Sequence, residues 1–168
     1  MYNPQCLYSN GKKWKTPNQK RFSKIVAADR LARQISNLQK SGKKTLWTIH
    51  GNGAELFNDA IEKTSQSNLD SITALFCAPT IPMSQIAAKA HTRKFNLHDD
   101  VTKINSEDWV SRYHQAADGK ALKQELMQIA GFEDKAEELF RDAEADAFKM
   151  TSLAEKVGTS VFKAVTTG

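Results

Sequence analysis

KTLWTIHGNGAELFNDAIEKTSQSNLDSITALFC, residues 44–77, decides the fold. Lys44 to His50 reads as a strand, because Leu46, Trp47, Thr48 and Ile49 favour a pleated surface. Gly51-Asn52-Gly53 ends it. Ala54 to Thr64 reads as a helix with Leu56, Phe57, Ala60 and Ile61 on one side. Ser65 to Asn68 is a loop, and Leu69 to Cys77 is a second, mostly apolar strand of the kind that parallel sheets bury. Strand, helix, strand over this length predicts one right-handed βαβ unit with parallel strands.

Working outward, Thr16-Pro17-Asn18-Gln19 is a helix start. Thr16 can cap, Pro17 suits the first helical position, and Gln19 sits where a capping box places Glu or Gln. Ile25, Ala28, Leu31, Ala32, Ile35 and Leu38 then recur at helical spacing and predict a helix from Pro17 to Lys40, with Gly42 beyond its end. Residues 1–16 have neither helical nor strand period and read as a flexible arm. After Pro79 and Pro82 the pattern predicts helices only: Met83–Lys94, Leu97–Ile104, Glu107–Ala117, Lys120–Ala130 and Glu133–Val157. Ser106 is the expected cap of the third of these. Asp118-Gly119 and Gly131 are the expected breaks. The expected fold is therefore α+β, mostly helical: one βαβ unit with a small parallel sheet, a basic N-terminal helix and a helical C-terminal half. The expected division is an arm, 1–16, and one globular domain, 17–168, made of a helix-plus-βαβ part (17–82) and a helical part (83–168).

Charge is distributed unevenly. The first 45 residues carry eleven Lys or Arg and one acid, Asp29; the remaining 123 carry thirteen and eighteen. The front is therefore +10 and the rest −5, within an overall +5. Lys12, Lys13, Lys15, Lys20, Arg21 and Lys24 are interleaved with Trp14 and Phe22. Clustered cations neutralise phosphates, and neighbouring aromatics stack on exposed bases. A helix N-terminus favours acids, yet Lys20, Arg21 and Lys24 occupy the first two turns here, an unfavourable field that a bound phosphate backbone would relieve. Arg30, Arg33 and Lys40 continue along the solvent side. The expected nucleic-acid-binding residues are therefore Lys12, Lys13, Trp14, Lys15, Lys20, Arg21, Lys24, Arg30 and Arg33.

This pattern points to a non-enzymatic nucleic-acid-binding accessory protein of low sequence specificity. Two alternatives accompany it. One is a protein-interaction module, with a partner or a second copy bound through the amphipathic stripe of the 133–163 helix. That helix also carries Glu133, Asp134, Glu137, Glu138, Asp142, Glu144 and Asp146, which could pair with the basic arm. The other is a small α/β enzyme using His50-Gly51-Asn52-Gly53, a candidate anion-binding turn where backbone amides could hold a phosphate or an oxyanion. A plain βα turn is the simpler reading, since the full dinucleotide fingerprint is absent.

Other motifs fall short. Ser41-Gly42-Lys43-Lys44-Thr45 resembles part of a P-loop but precedes a strand, with Asn37 where a glycine belongs. Met83–Ala90 resembles the first helix of a helix-turn-helix, with Leu97–Ile104 as the second. His91–Asn96 is longer than the usual turn and Asp99 and Asp100 would repel phosphate, so a plain helical pair is preferred. His91, His98, Asp99, Asp100 and His114 have ligand chemistry but read as surface residues, so no metal, cofactor or catalytic residue is expected. Cys6 and Cys77 form no zinc framework, and Cys77 reads as a buried, inert thiol. No run of eighteen apolar residues predicts a membrane span, and no signal segment is evident, which points to a cytoplasmic protein.

Overall fold

A computed structural model describes residues 17–104 and 109–166, with side chains described for 22–104, 111–149 and 151. The order of elements is α1 (Pro17–Lys40), β1 (Thr45–His50), α2 (Gly53–Lys63), β2 (Ile72–Cys77), α3 (Met83–Arg93), β3 (Asn96–Lys103), α4 (Trp109–Leu126) and α5 (Glu133–Thr166). The arm, the Ser106 cap and the side chains of the stripe beyond Thr151 lie outside the described residues.

The α+β, mostly helical expectation holds, but the sheet has three strands rather than two. They are parallel, in the order β1-β2-β3. Of residues 97–104, read from sequence as a helix, 97–103 are strand, so the chain makes two βαβ units and the C-terminal half is not all helical. The helix-turn-helix reading falls with it, because its recognition helix is β3. The misreading has a physical cause. Leu97 pairs with Ala74 and Thr102 with Phe76, so β3 spends five steps where β2 spends two. The excursion passes through Val101 at φ 57. It resets the phase of the strand, bringing Leu97, Val101 and Thr102 all to buried positions at a spacing that mimics a helix.

One face of the sheet and the helices form the core. Ile49, Ile72, Ala74, Phe76 and Leu97 pack with Phe57, Ala60, Ile86 and Ala90 of α2 and α3 and with Leu31 and Ile35 of α1. Phe57 meets Phe76 and Phe95 edge to face, each with ring centroids 5.7 Å apart, the geometry aromatic pairs prefer. Along β2 buried and half-buried residues alternate, so one side faces the core and the other is partly covered.

Asp118-Gly119 is not a break. α4 runs through it as one helix where two were expected. The Asp118 carboxylate, 8% exposed, accepts hydrogen bonds from the Ser84 amide at 2.7 Å and from the Ser84 hydroxyl. It thus satisfies an orphan donor at the start of α3, where Pro82 supplies no cap. Gly119 lets α5 approach: a Cβ there would stand 2.4 Å from that of Ala143. At the other end of α2, the Arg93 guanidinium donates to the Thr64 carbonyl at 2.8 Å, to its hydroxyl at 2.5 Å and to the Gln66 carbonyl at 2.8 Å. A cation there also complements the helix dipole.

Candidate nucleic-acid interface and the carboxyl edge of the sheet

α1 and α2 run side by side in the same direction. Lys24 bonds Glu55 and reaches Asp59 at 3.2 Å, and five residues on Asp29 accepts from Lys63 at 2.6 Å. α2 begins just past the carboxyl end of β1, so α1 also starts at that edge of the sheet. Its first turns extend beyond the start of α2 by about 5–10 Å, from a rise of about 1.5 Å per residue.

The expected phosphate contacts divide into three groups. Lys12, Lys13, Trp14 and Lys15 lie outside the described residues, as do the side chains of Lys20 and Arg21. Lys24 holds α1 against α2 through its two acids. Arg30 and Arg33 are exposed and, with Lys40 and Phe22, share the solvent face of α1; Phe22 is 68% exposed. Among the described residues these three cations have no acidic partner, whereas Asp29, the one acid of α1, is neutralised by Lys63. From Arg30 to Lys40 the face runs about 15 Å, or about four steps of a nucleic-acid strand at 3.4 Å each.

Partial burial alone would lower the Lys24 pKa. The hydrogen bonds to Glu55 and Asp59, with the charges of both, outweigh it and hold the ammonium above its ordinary 10.5. A pKa raised on folding contributes stability that is complete below the unfolded value and is lost as pH climbs through the folded one. Lys24→Met is therefore expected to be less stable than the parent at neutral pH, with the gap closing above pH 10.5. Urea midpoints of both proteins across the alkaline range check this.

The turn after β1 is largely occupied by its own backbone. Gly51, at φ 53, donates its amide to the Cys77 carbonyl at 2.9 Å, and the Ala54 amide returns to the Gly51 carbonyl at 3.0 Å. Asn52 has helical backbone angles and no side-chain cap bond. Its Oδ1 accepts from the Thr80 hydroxyl at 2.9 Å, tying together the turns that follow β1 and β2. Gly53 is buried against Ile49. His50 is exposed. Of the amides expected to cradle an anion, that of Gly51 is thus already bonded.

On β3 the Asp100 amide donates to His98 Nδ1 at 3.1 Å, and Lys103 reaches the Asp100 carboxylate at 3.1 Å. That hydrogen bond holds the Asp100 carboxyl below its ordinary value. Among the described residues no three His, Cys, Asp or Glu side chains converge as metal ligands. A cleft between β3, α4 and α5 is lined by Thr102, Arg112, Lys135, Glu138, Asp146 and Lys149. Its charges face each other: Arg112 pairs with Asp146 at 2.9 Å and Lys135 with Glu138 at 2.9 Å.

Sequence reasoning missed one arrangement. His50, Cys77 and Lys103 end the three strands in a single register, His50 opposite Cys77 and Cys77 opposite Lys103. Cys77 is half-buried rather than buried. The available signal was that each strand closes on a titratable or nucleophilic residue, but lateral register is not visible in a sequence.

No protein-family model matches the chain, and no curated protein or solved structure matches it.

Proposed function

We propose that the chain is a non-enzymatic nucleic-acid-binding accessory protein that grips the phosphate backbone with its basic arm and first helix. The observation that carries this reading is the solvent face of α1, where Arg30, Arg33 and Lys40 stand beside exposed Phe22 without acidic partners among the described residues. Cations compensated within the fold, such as Lys24 and Lys63, add little to such a surface; uncompensated ones attract polyanions and release their counterions. Trp14 and Phe22 would stack on unpaired bases. Contacts of this kind position a protein without reading sequence.

The test is binding of labelled single- and double-stranded DNA and RNA across a salt series. The intact chain is compared with a deletion of residues 1–16 and with Arg30→Glu/Arg33→Glu/Lys40→Glu, which leaves the Lys24 tie in place. The triple variant should lose affinity for every ligand and flatten the plot of log affinity against log salt by roughly 2–3, at about 0.7–0.9 per phosphate contact. No binding by the intact chain at low salt would refute the reading.

A second reading, binding of a protein partner through α5, draws support from Phe148, which stands 77% exposed on that helix. Self-association abolished by Phe148→Ser would favour it. Among the described residues, no helix is long and apolar enough to cross a membrane.

A further inference from the structure

We propose that the ligand of this surface is an unpaired nucleic-acid strand, laid along α1 from Phe22 to Lys43 and Lys44 in the turn before β1. This inference rests on the nucleic-acid reading above and adds to it the class of strand and two further contact residues.

The cationic face does not stop at Lys40. α1 ends through Gly42 at φ 65, and Lys43 and Lys44 follow, both exposed. Like Arg30, Arg33 and Lys40, neither has an acidic partner among the described residues. Two acids could have broken the run. Asp29 is neutralised by Lys63 at 2.6 Å, and Asp70 accepts from Gln39 at 2.8 Å and from Asn68 at 3.3 Å. A cation near a helix C-terminus complements the dipole, which gives Lys40 a use within the fold. Arg30 and Arg33 stand in mid-helix, outside that effect.

The turn that carries the two lysines is ordered. The Ser41 amide donates to the Asn37 carbonyl at 3.0 Å, and the Ser41 hydroxyl donates to the Leu38 carbonyl at 2.7 Å. The Lys43 amide donates to Ser41 Oγ at 3.4 Å, and the Thr45 amide to the Ser71 carbonyl at 2.8 Å.

Shape selects the strand. At about 100° per residue, Phe22, Arg33 and Lys40 lie within about 20° of one another around α1, so they form a straight line. The line is about 27 Å long at a rise of about 1.5 Å per residue. That length matches about eight stacked nucleotides at about 3.4 Å each, within the roughly 4–16 nucleotides that single-strand-binding folds occupy. In a duplex each strand winds once around the axis in about 34 Å, so its phosphates leave a straight line of this length. A free strand can follow it throughout.

The aromatic end makes the same choice. Phe22 is 68% exposed, and Ile25, one turn on, is 44% exposed. Lys24 fastens this turn to α2 through Glu55 and Asp59, so the ring is presented by a fixed backbone. A paired base keeps its faces inside the stack, whereas an unpaired one can lie on the ring.

The experiment titrates the full chain with labelled single strands of DNA and of RNA, each of about twelve nucleotides to cover the line, and with a duplex of the same length. Single strands should bind several-fold more tightly than the duplex. Phe22→Ala should weaken single-strand binding roughly 5- to 100-fold, the effect of removing one stacking platform, and leave the duplex unmoved. Phe22→Leu, apolar but without a π-face, should lose most of the same affinity. Lys43→Gln/Lys44→Gln should flatten the single-strand plot of log affinity against log salt by about 1.4, at about 0.7 per phosphate. All these side chains are exposed, and circular dichroism checks that the variants keep the fold. Duplex binding as tight as single-strand binding would overturn the inference. So would a single-strand affinity indifferent to Phe22→Ala, or a salt slope indifferent to the lysine pair. Each of these leaves the wider nucleic-acid reading standing; binding of none of the ligands would remove both.

Discussion

Phe57→Ala is expected to lower the free energy of unfolding by about 3–5 kcal/mol, the range for removing a buried aromatic ring. Phe57 is fully buried at the point where four segments meet. Its ring lies edge-on to Phe76 of β2 and to Phe95 just before β3, and 6.3 Å from Trp47 of β1. Truncation would therefore empty the space between α2 and all three strand regions at once. The loss is comparable to the whole stability of many domains, about 5–15 kcal/mol. Urea unfolding followed by Trp fluorescence and far-UV circular dichroism should show a much earlier midpoint, or no cooperative transition. Phe57→Leu retains most of the volume and should cost roughly half as much. If Phe57→Ala were nearly neutral, the aromatic cluster would not be the centre of the core.

Gly119→Val is expected to cost about 2–3 kcal/mol, near the top of the usual range for overpacking. Intrinsic helix preference points the other way, since glycine is about 1 kcal/mol worse than alanine in a helix interior and valine is better than glycine. Packing decides the sign. The added Cβ would meet that of Ala143 at 2.4 Å, with the Phe140 ring at 3.9 Å on the same side. Ala143 is 2% exposed and has no room to retreat without moving α5. Ala143→Gly in the same chain should restore part of the loss, so a double-mutant cycle with clearly non-additive energies is the diagnostic. Additive energies, or a stabilised Gly119→Val, would mean that α4 and α5 are not in close contact there.

Legibility of the fold followed the range of the forces involved. β1, α2 and β2 were readable because short-range preference and burial agree over residues 44–77. β3 was not, because its bulge moves Leu97, Val101 and Thr102 out of the two-residue period that marks a strand. Asp118-Gly119 carried a genuine turn signal, but its residues serve distant partners, Ser84 and Ala143. At the candidate interface the exposed side of α1 followed from helical spacing alone. The assignment of Lys24 did not, because Glu55 lies 31 residues away and only the pairing of two helices brings it near. The His50–Cys77–Lys103 row has the same origin, since it exists only once three strands take their register.

The strands stand in the sheet in the order in which the chain makes them. α5 packs chiefly on α4, held by Arg112–Asp146, by Lys123–Glu137 and by Lys123 over the Phe140 ring. No later segment among the described residues returns to close over the first strands. The molecule can therefore open from its tail inward: releasing α5 uncovers α4 while β1, β2 and the aromatic centre keep their neighbours. Under native conditions, amide protons of α5 should exchange through such partial openings, while those of β2 wait for global unfolding.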